Sequence, residues 1–269
     1  MPEESSQTAG RVPAARDVNS PRVAPSPRRG SKLPARPWFS LAMGCVSLGA
    51  MAFGFGRTYV VPLSRRDFEA PLVVHLHGAL AVTWVLLFLA QPLLVWRRRV
   101  RWHRQLGVIG LPVAIGILIT LIPVGLHQAT RDAQAGGGPV AISSFLGVLT
   151  SGLIFVALVA AGIHTRKQPE AHARWMLLAT LVLVWPAWYR IRHYFPSVPH
   201  PEVWFAVVLA YVWIPLAALR DHLVRGSVHP VLTWGGLAVI VEQSLEVITF
   251  DSPWWRATAD VLYRWFGAS

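Results

Sequence analysis

Seven apolar segments, each close to the length needed to cross a bilayer, constrain this chain more than any other feature. They cover residues 38–56, 71–96, 105–126, 139–163, 173–191, 202–219 and 230–249. About 20 apolar residues span the hydrocarbon core as a helix, and a spanning segment must satisfy its own backbone hydrogen bonds. The pattern therefore predicts an all-α, polytopic integral membrane bundle of seven transmembrane helices.

The basic residues predict how such a bundle is oriented. Only 14% of the 269 residues are charged, yet the formal net charge is +12. Positive charge collects in the N-terminal tail and in the second, fourth and sixth connections, for example at Arg97, Arg98, Arg99, Arg101 and Arg104. By the positive-inside rule, the N-terminus is cytoplasmic and the C-terminus is outside. Because this basicity reports topology, we expect membrane lipid as a partner and no nucleic acid.

Composition divides the chain into three parts. Residues 1–36 are rich in Pro, Ser, Ala and Arg without apolar periodicity, which predicts a disordered basic tail. Residues 37–250 form the predicted transmembrane domain, and residues 251–269 form an amphipathic or loose C-terminal segment.

The single cysteine, Cys45, excludes a disulfide framework within one chain. In the fourth apolar segment, Ser143, Gly147 and Ser151 recur every four residues, a spacing that predicts close helix packing.

Ionisable residues inside apolar segments are costly and mark functional sites by default. One group lies toward the outer ends of the second, fifth and seventh segments. Its members are His75, His77, Tyr189, Arg190, His193, Glu242 and Glu246. Glu242 and Glu246 are four residues apart and so share one helix face, where we expect them to pair with Arg190. His75 and His77 are two residues apart and should point in different directions.

A second histidine group, His103, His172 and His229, lies toward the cytoplasmic ends of its segments. Neutral imidazole binds haem iron and other transition metals, and two histidines from different helices can clamp a haem. The outer pair would be His75 or His77 with His193, and the inner pair His103 with His172 or His229. Arginines at the same level would bind haem propionates or a quinone head group. The simpler interpretation is that helix-end histidines only meet water and lipid head groups.

Several motifs carry a resemblance to known proteins. They are Val74-His75-Leu76-His77-Gly78, Trp84, Gln91, His103-Arg104-Gln105-Leu106-Gly107, His172 through Thr180, Arg190, His229-Pro230 and Trp234-Gly235-Gly236. With these motifs the chain resembles a group of uncharacterised bacterial multi-span membrane proteins over most of residues 50–245. That resemblance implies a multi-pass protein of the bacterial inner (cytoplasmic) membrane. In outline it is also similar to histidine-bearing, cytochrome b-like membrane proteins, and that resemblance implies haem b as a cofactor. On the fifth segment, His172 and His193 would lie about 31 Å apart, which is wide for two stacked haems.

Three functions follow from these patterns. The first is a haem- or metal-binding redox protein that transfers electrons, with quinone as a candidate partner. The second is a proton-coupled transporter or carrier whose site is the outer His/Arg/Glu group. The third is a non-catalytic component of a larger membrane complex. The sequence contains no Walker A, dinucleotide-binding, H-E-x-x-H or G-x-S-x-G motif, so no enzymatic reaction and no catalytic or metal-ligand set is assigned.

Overall fold

A computed structural model describes residues 37–267, and the regular secondary structure in this range is helical without strands, which confirms the all-α prediction. The predicted tail, residues 1–36, lies outside the described residues. The helices are α1 (Trp38–Ser64), α2 (Leu72–Trp96), α3 (Val100–Asp132), α4 (Gly138–His164), α5 (Pro169–Arg190), α6 (Glu202–Arg225), α7 (Val231–Thr249) and α8 (Pro253–Gly267).

Within residues 37–267, five helical stretches are long and apolar enough to cross a membrane. They are Trp38–Ser64, Leu72–Trp96, Val100–His164, Glu202–Arg225 and Val231–Thr249, of which the third contains both α3 and α4. Helix α5 is outside this set, although the sequence predicts a span there. Its Trp, Tyr and Pro residues lower its mean hydropathy, and it carries Glu170, Arg174 and Arg190.

Helix α5 can be less apolar because it lies at the centre of the bundle. It packs against α1, α2, α4, α6 and α7, and Leu178, Ala179 and Thr180 in its middle are fully buried. The Trp84 indole of α2 donates a 3.1 Å hydrogen bond to the Thr180 hydroxyl. At the Gly54 position of α1, a Cβ atom would collide with the Ala187 carbonyl oxygen, so only glycine permits this close approach. The polar residues of α5 are thus enclosed by neighbouring helices.

The helices alternate in direction and give the bundle two distinct ends. We call the end where α2 meets α3, α4 meets α5 and α6 meets α7 the arginine-rich end. Helix α1 also begins there, since the Trp38 and Trp96 rings lie 6.1 Å apart. Helix α3 starts at Val100 rather than at the predicted 105. A tight turn in which Arg98 has a positive φ of 59° brings the chain round early, so the first turn of α3 carries part of the arginine run.

The C-terminal segment forms helix α8, which docks on α4. The Trp255 indole donates a 2.9 Å hydrogen bond to the Ser143 carbonyl oxygen, and the Ser143 hydroxyl donates one of 2.6 Å to Asp251. The hydroxyls of Tyr263 and Thr130 lie 2.6 Å apart. Ser143 therefore lies at a close helix contact, as its four-residue spacing with Gly147 predicts.

Candidate functional site

Two histidines from different helices lie close together at the arginine-rich end. The rings of His103 and His172 lie 6.5 Å apart between centroids, with an interplanar angle of 84°. Each is in the first turn of its helix, because its backbone N–H bonds to the residue just before that helix, Arg99 for His103 and Gln168 for His172. Since α3 and α5 both begin at this end, their first turns meet there.

Both rings are held through Nδ1. His172 Nδ1 lies 2.8 Å from the Gly162 carbonyl oxygen. A carbonyl oxygen can only accept, so Nδ1 carries the proton and Nε2 keeps its lone pair. The Gln91 amide, oriented so that its oxygen accepts from the Gly107 N–H at 3.1 Å, donates its N–H to Nδ1 of His103. Nε2 of His172 is therefore free to bind a ligand, whereas the neutral His103 ring carries its proton on Nε2.

The ring separation suits a single metal between two imidazoles. Metal–nitrogen bonds of about 2.0–2.1 Å on both sides would place two opposed ring centroids roughly 6 Å apart. Among residues 37–267, no group of three or more His, Cys, Asp or Glu side chains is arranged to hold a metal ion. A haem requires fewer protein ligands than a bare ion, because the porphyrin supplies four nitrogens and the protein adds only axial ligands.

A buried ion pair lies close to the histidine pair. The Arg174 guanidinium donates two hydrogen bonds of 2.7 Å to the Asp221 carboxylate and a third of 2.7 Å to the Glu170 carbonyl oxygen. The relative exposure is 8% for Arg174 and 2% for Asp221. This pair ties α5 to α6 and fixes the rotation of the turn that carries His172. The sequence analysis did not predict this ion pair, although Asp221 is an acidic residue in an otherwise basic connection.

His229 is at the same end but does not join the pair. Its Nδ1 accepts a 3.2 Å hydrogen bond from the Val231 N–H, so it caps the start of α7. Burial, reinforced by the positive charges of Arg174 and Arg225, lowers the pKa of His229. Within the described residues, no hydrogen bond or ring contact joins His229 to His103.

The structure does not bring the predicted outer histidines together. The Tyr59 hydroxyl lies 2.6 Å from His75 Nδ1, while His77 Nδ1 lies 2.8 Å from the Thr120 hydroxyl. The two histidines thus contact different helices, α1 and α3, as their spacing predicts. His193 is fixed through its carbonyl oxygen, which accepts from Arg57. In residues 37–267, no hydrogen bond or ring contact links His193 to His75 or His77.

The remaining outer residues also separate. The Arg190 guanidinium lies 4.5 Å from the centroid of the Phe55 ring of α1. The Arg192 guanidinium lies 3.7 Å from the centroid of the Tyr189 ring. Burial, with the charges of Arg192 and Arg190, lowers the pKa of His193. These side chains therefore surround the junction of α1 with the end of α5.

The two glutamates do not reach Arg190. Glu246 accepts a 3.0 Å hydrogen bond from the Thr150 hydroxyl, and its carboxylate fills the space beside Gly147. No ion pair within 4.0 Å joins Arg190 to Glu242 or Glu246 in the described part of the chain. The expected pairing is therefore wrong, because Arg190 packs on α1 whereas Glu246 packs on α4.

No family model, curated protein or solved structure matches this chain. The functional argument therefore depends on the residues of the site.

Proposed function

We propose that this chain is a haem-binding membrane redox protein in which His103 and His172 are the two axial ligands of one haem b. The observation that carries the proposal is the approach of these rings to 6.5 Å with Nδ1 of each already engaged. Two histidines at one depth on different helices need only the porphyrin to complete the coordination of iron. The haem, when bound, would supply one-electron transfer.

The residues of the chain have separate roles in this proposal. The Gly162 carbonyl fixes the His172 ring with Nε2 unprotonated. Gln91 donates to His103 Nδ1 in the apoprotein, and ligation through Nε2 would require this amide to turn so that its oxygen accepts from Nδ1. Arginines of the nearby run, such as Arg101 and Arg104, would neutralise the propionates by charge-assisted hydrogen bonds. His75, His77, His193 and His229 do not take part, so one haem is expected rather than two.

The membrane arrangement is part of the same proposal. Seven helices, α1 to α7, cross the bacterial inner membrane with the N-terminus inside, because basic residues concentrate at the arginine-rich end. The haem then lies near the cytoplasmic surface. A membrane-soluble quinone or a neighbouring membrane complex would exchange electrons with it, and lipid surrounds the exposed apolar faces.

The geometry favours this function over a proton-coupled transporter. A transporter site at the outer glutamates requires access for substrate or water. Instead, Glu246 is only 9% exposed and is closed against Thr150 and Gly147. The transporter hypothesis therefore gains no support from a cavity at this position.

An absorption spectrum of protein purified from haem-replete cells tests the proposal. We expect a Soret band that shifts on reduction with dithionite. His103→Ala and His172→Ala should each abolish it, whereas His200→Ala, a change at an exposed histidine, should leave it intact. A folded protein that stays colourless and does not bind added haemin would overturn the proposal. Retention of full haem content in both ligand variants would overturn the ligand assignment.

A further inference from the structure

A small cavity lies among α2, α3, α4 and α5, away from the histidine pair. Its volume is about 60 Å³, and its lining is mostly apolar, with Phe155 and Leu121 among the contributors. The lining also includes the polar residues His77 and Ser151, and Val182 and Pro186 of α5. The hydrogen bonds of these residues indicate which polar groups are available to a bound molecule.

His77 presents an acceptor. The Thr120 hydroxyl has one proton, and it donates this to the carbonyl oxygens of Gly116 at 2.7 Å and Ile117 at 3.1 Å. With the Thr120 proton on one of these carbonyls, the 2.8 Å contact between Thr120 and His77 Nδ1 uses a proton on Nδ1. The other ring nitrogen, Nε2, keeps its lone pair.

Ser151 presents a donor. Its oxygen accepts a 3.0 Å hydrogen bond from the Trp185 indole, and no bond donated by its own O–H is found within residues 37–267. Pro186 supplies a second acceptor indirectly. Proline has no N–H, so the carbonyl of Val182, four residues earlier in α5, loses its usual helical donor.

We propose that this cavity is an internal water-binding site. A water molecule there would donate to His77 Nε2 and to the Val182 carbonyl, and would accept from the Ser151 hydroxyl. A buried water needs about 10–15 Å³ of such volume and two to four polar partners, and this cavity provides both. The inference is independent of haem binding, because none of these groups touches His103 or His172.

Hydroxyl-radical labelling by X-ray radiolysis tests the site in the full-length protein in detergent. Water bound inside a protein is activated in place and modifies adjacent side chains. We expect labelling of Phe155, which is only 3% exposed but lines the cavity. Phe145 serves as the internal reference, because it is fully buried and outside the lining.

Two variants remove single water partners without enlarging a side chain. Ser151→Ala deletes the donor, and Pro186→Ala returns an N–H to the Val182 carbonyl. Each should reduce Phe155 labelling toward the level of Phe145. Ser144→Ala, in which the lost hydroxyl bonds only the Ala141 carbonyl, should leave the labelling unchanged. Phe155 labelling equal to that of Phe145 in the unmodified chain, or unchanged labelling in both variants, would overturn the proposal.

Discussion

Arg174 and Asp221 form a two-point ion pair that joins α5 to α6 through two 2.7 Å hydrogen bonds. The pair is nearly excluded from solvent, and its Asp221 carboxylate also lies 3.6 Å from Arg220. A buried charge is tolerated only when its partner is in place. The contact therefore fixes the rotation of α5 two residues from His172.

Asp221→Ala should destabilise the protein by about 3–5 kcal/mol, because it leaves the Arg174 guanidinium buried and unpaired. Unfolding in mixed micelles with increasing SDS would measure this. Glu170→Ala is the matched control, since it removes the exposed partner of Arg225 and should cost at most about 1 kcal/mol. Equal losses in the two variants would contradict a structural role for the buried pair.

Gly54→Ala should destabilise the contact between α1 and α5 by about 1–3 kcal/mol, the usual cost of overpacking. The added Cβ meets backbone atoms of Ala187, which cannot move aside as a side chain can. Gly49→Ala in the same helix meets nothing within 4 Å and should be neutral or slightly stabilising. Thermal unfolding in detergent would separate them, and a fully stable Gly54→Ala protein would show that the helices are not this close.

Gln91→Leu should weaken haem retention roughly 10- to 100-fold, because it removes the partner of His103 Nδ1 while sparing both ligands. Haemin titration of the apoprotein would measure the loss. Gln105→Leu changes an exposed glutamine of α3 near His103 and should titrate like the unmodified protein. If the Gln91 variant binds haem with unchanged affinity, Gln91 does not position His103.

Trp255→Phe should loosen helix α8 from α4, since it deletes the indole donor to the Ser143 carbonyl and leaves the ring. A typical hydrogen bond contributes about 0.5–1.5 kcal/mol, so amide exchange in α8 should accelerate roughly two- to tenfold. Hydrogen–deuterium exchange would detect this change. Trp254→Phe alters a ring that is 56% exposed and should leave exchange unchanged. Similar acceleration in both variants would mean that the Ser143 bond does not hold α8.

The presence of each helix could be predicted from the sequence, because the length of an apolar segment depends only on neighbouring residues in the chain. Each predicted segment corresponds to one of the helices α1 to α7, and misplaced boundaries such as the start of α3 arise where a turn is made by charged residues. The central position of α5 was not predictable, because periodicity shows that a helix is apolar but not which neighbours surround it. Its lower hydropathy becomes understandable only once five helices are seen to shield it.

For the candidate site too, some features could be predicted from the sequence and others depended on the tertiary structure. The sequence by itself determined which residues are unusual in a membrane segment, and His103 with His172 was one of the pairs it allowed. Only the tertiary structure decided among the pairs, separated Arg190 from Glu242 and Glu246, and brought Arg174 to Asp221. The physical reason is that residue type and spacing set the depth of a side chain along its helix. Which side chains meet at that depth depends on the rotation and order of the helices, and these are set by packing across the whole bundle.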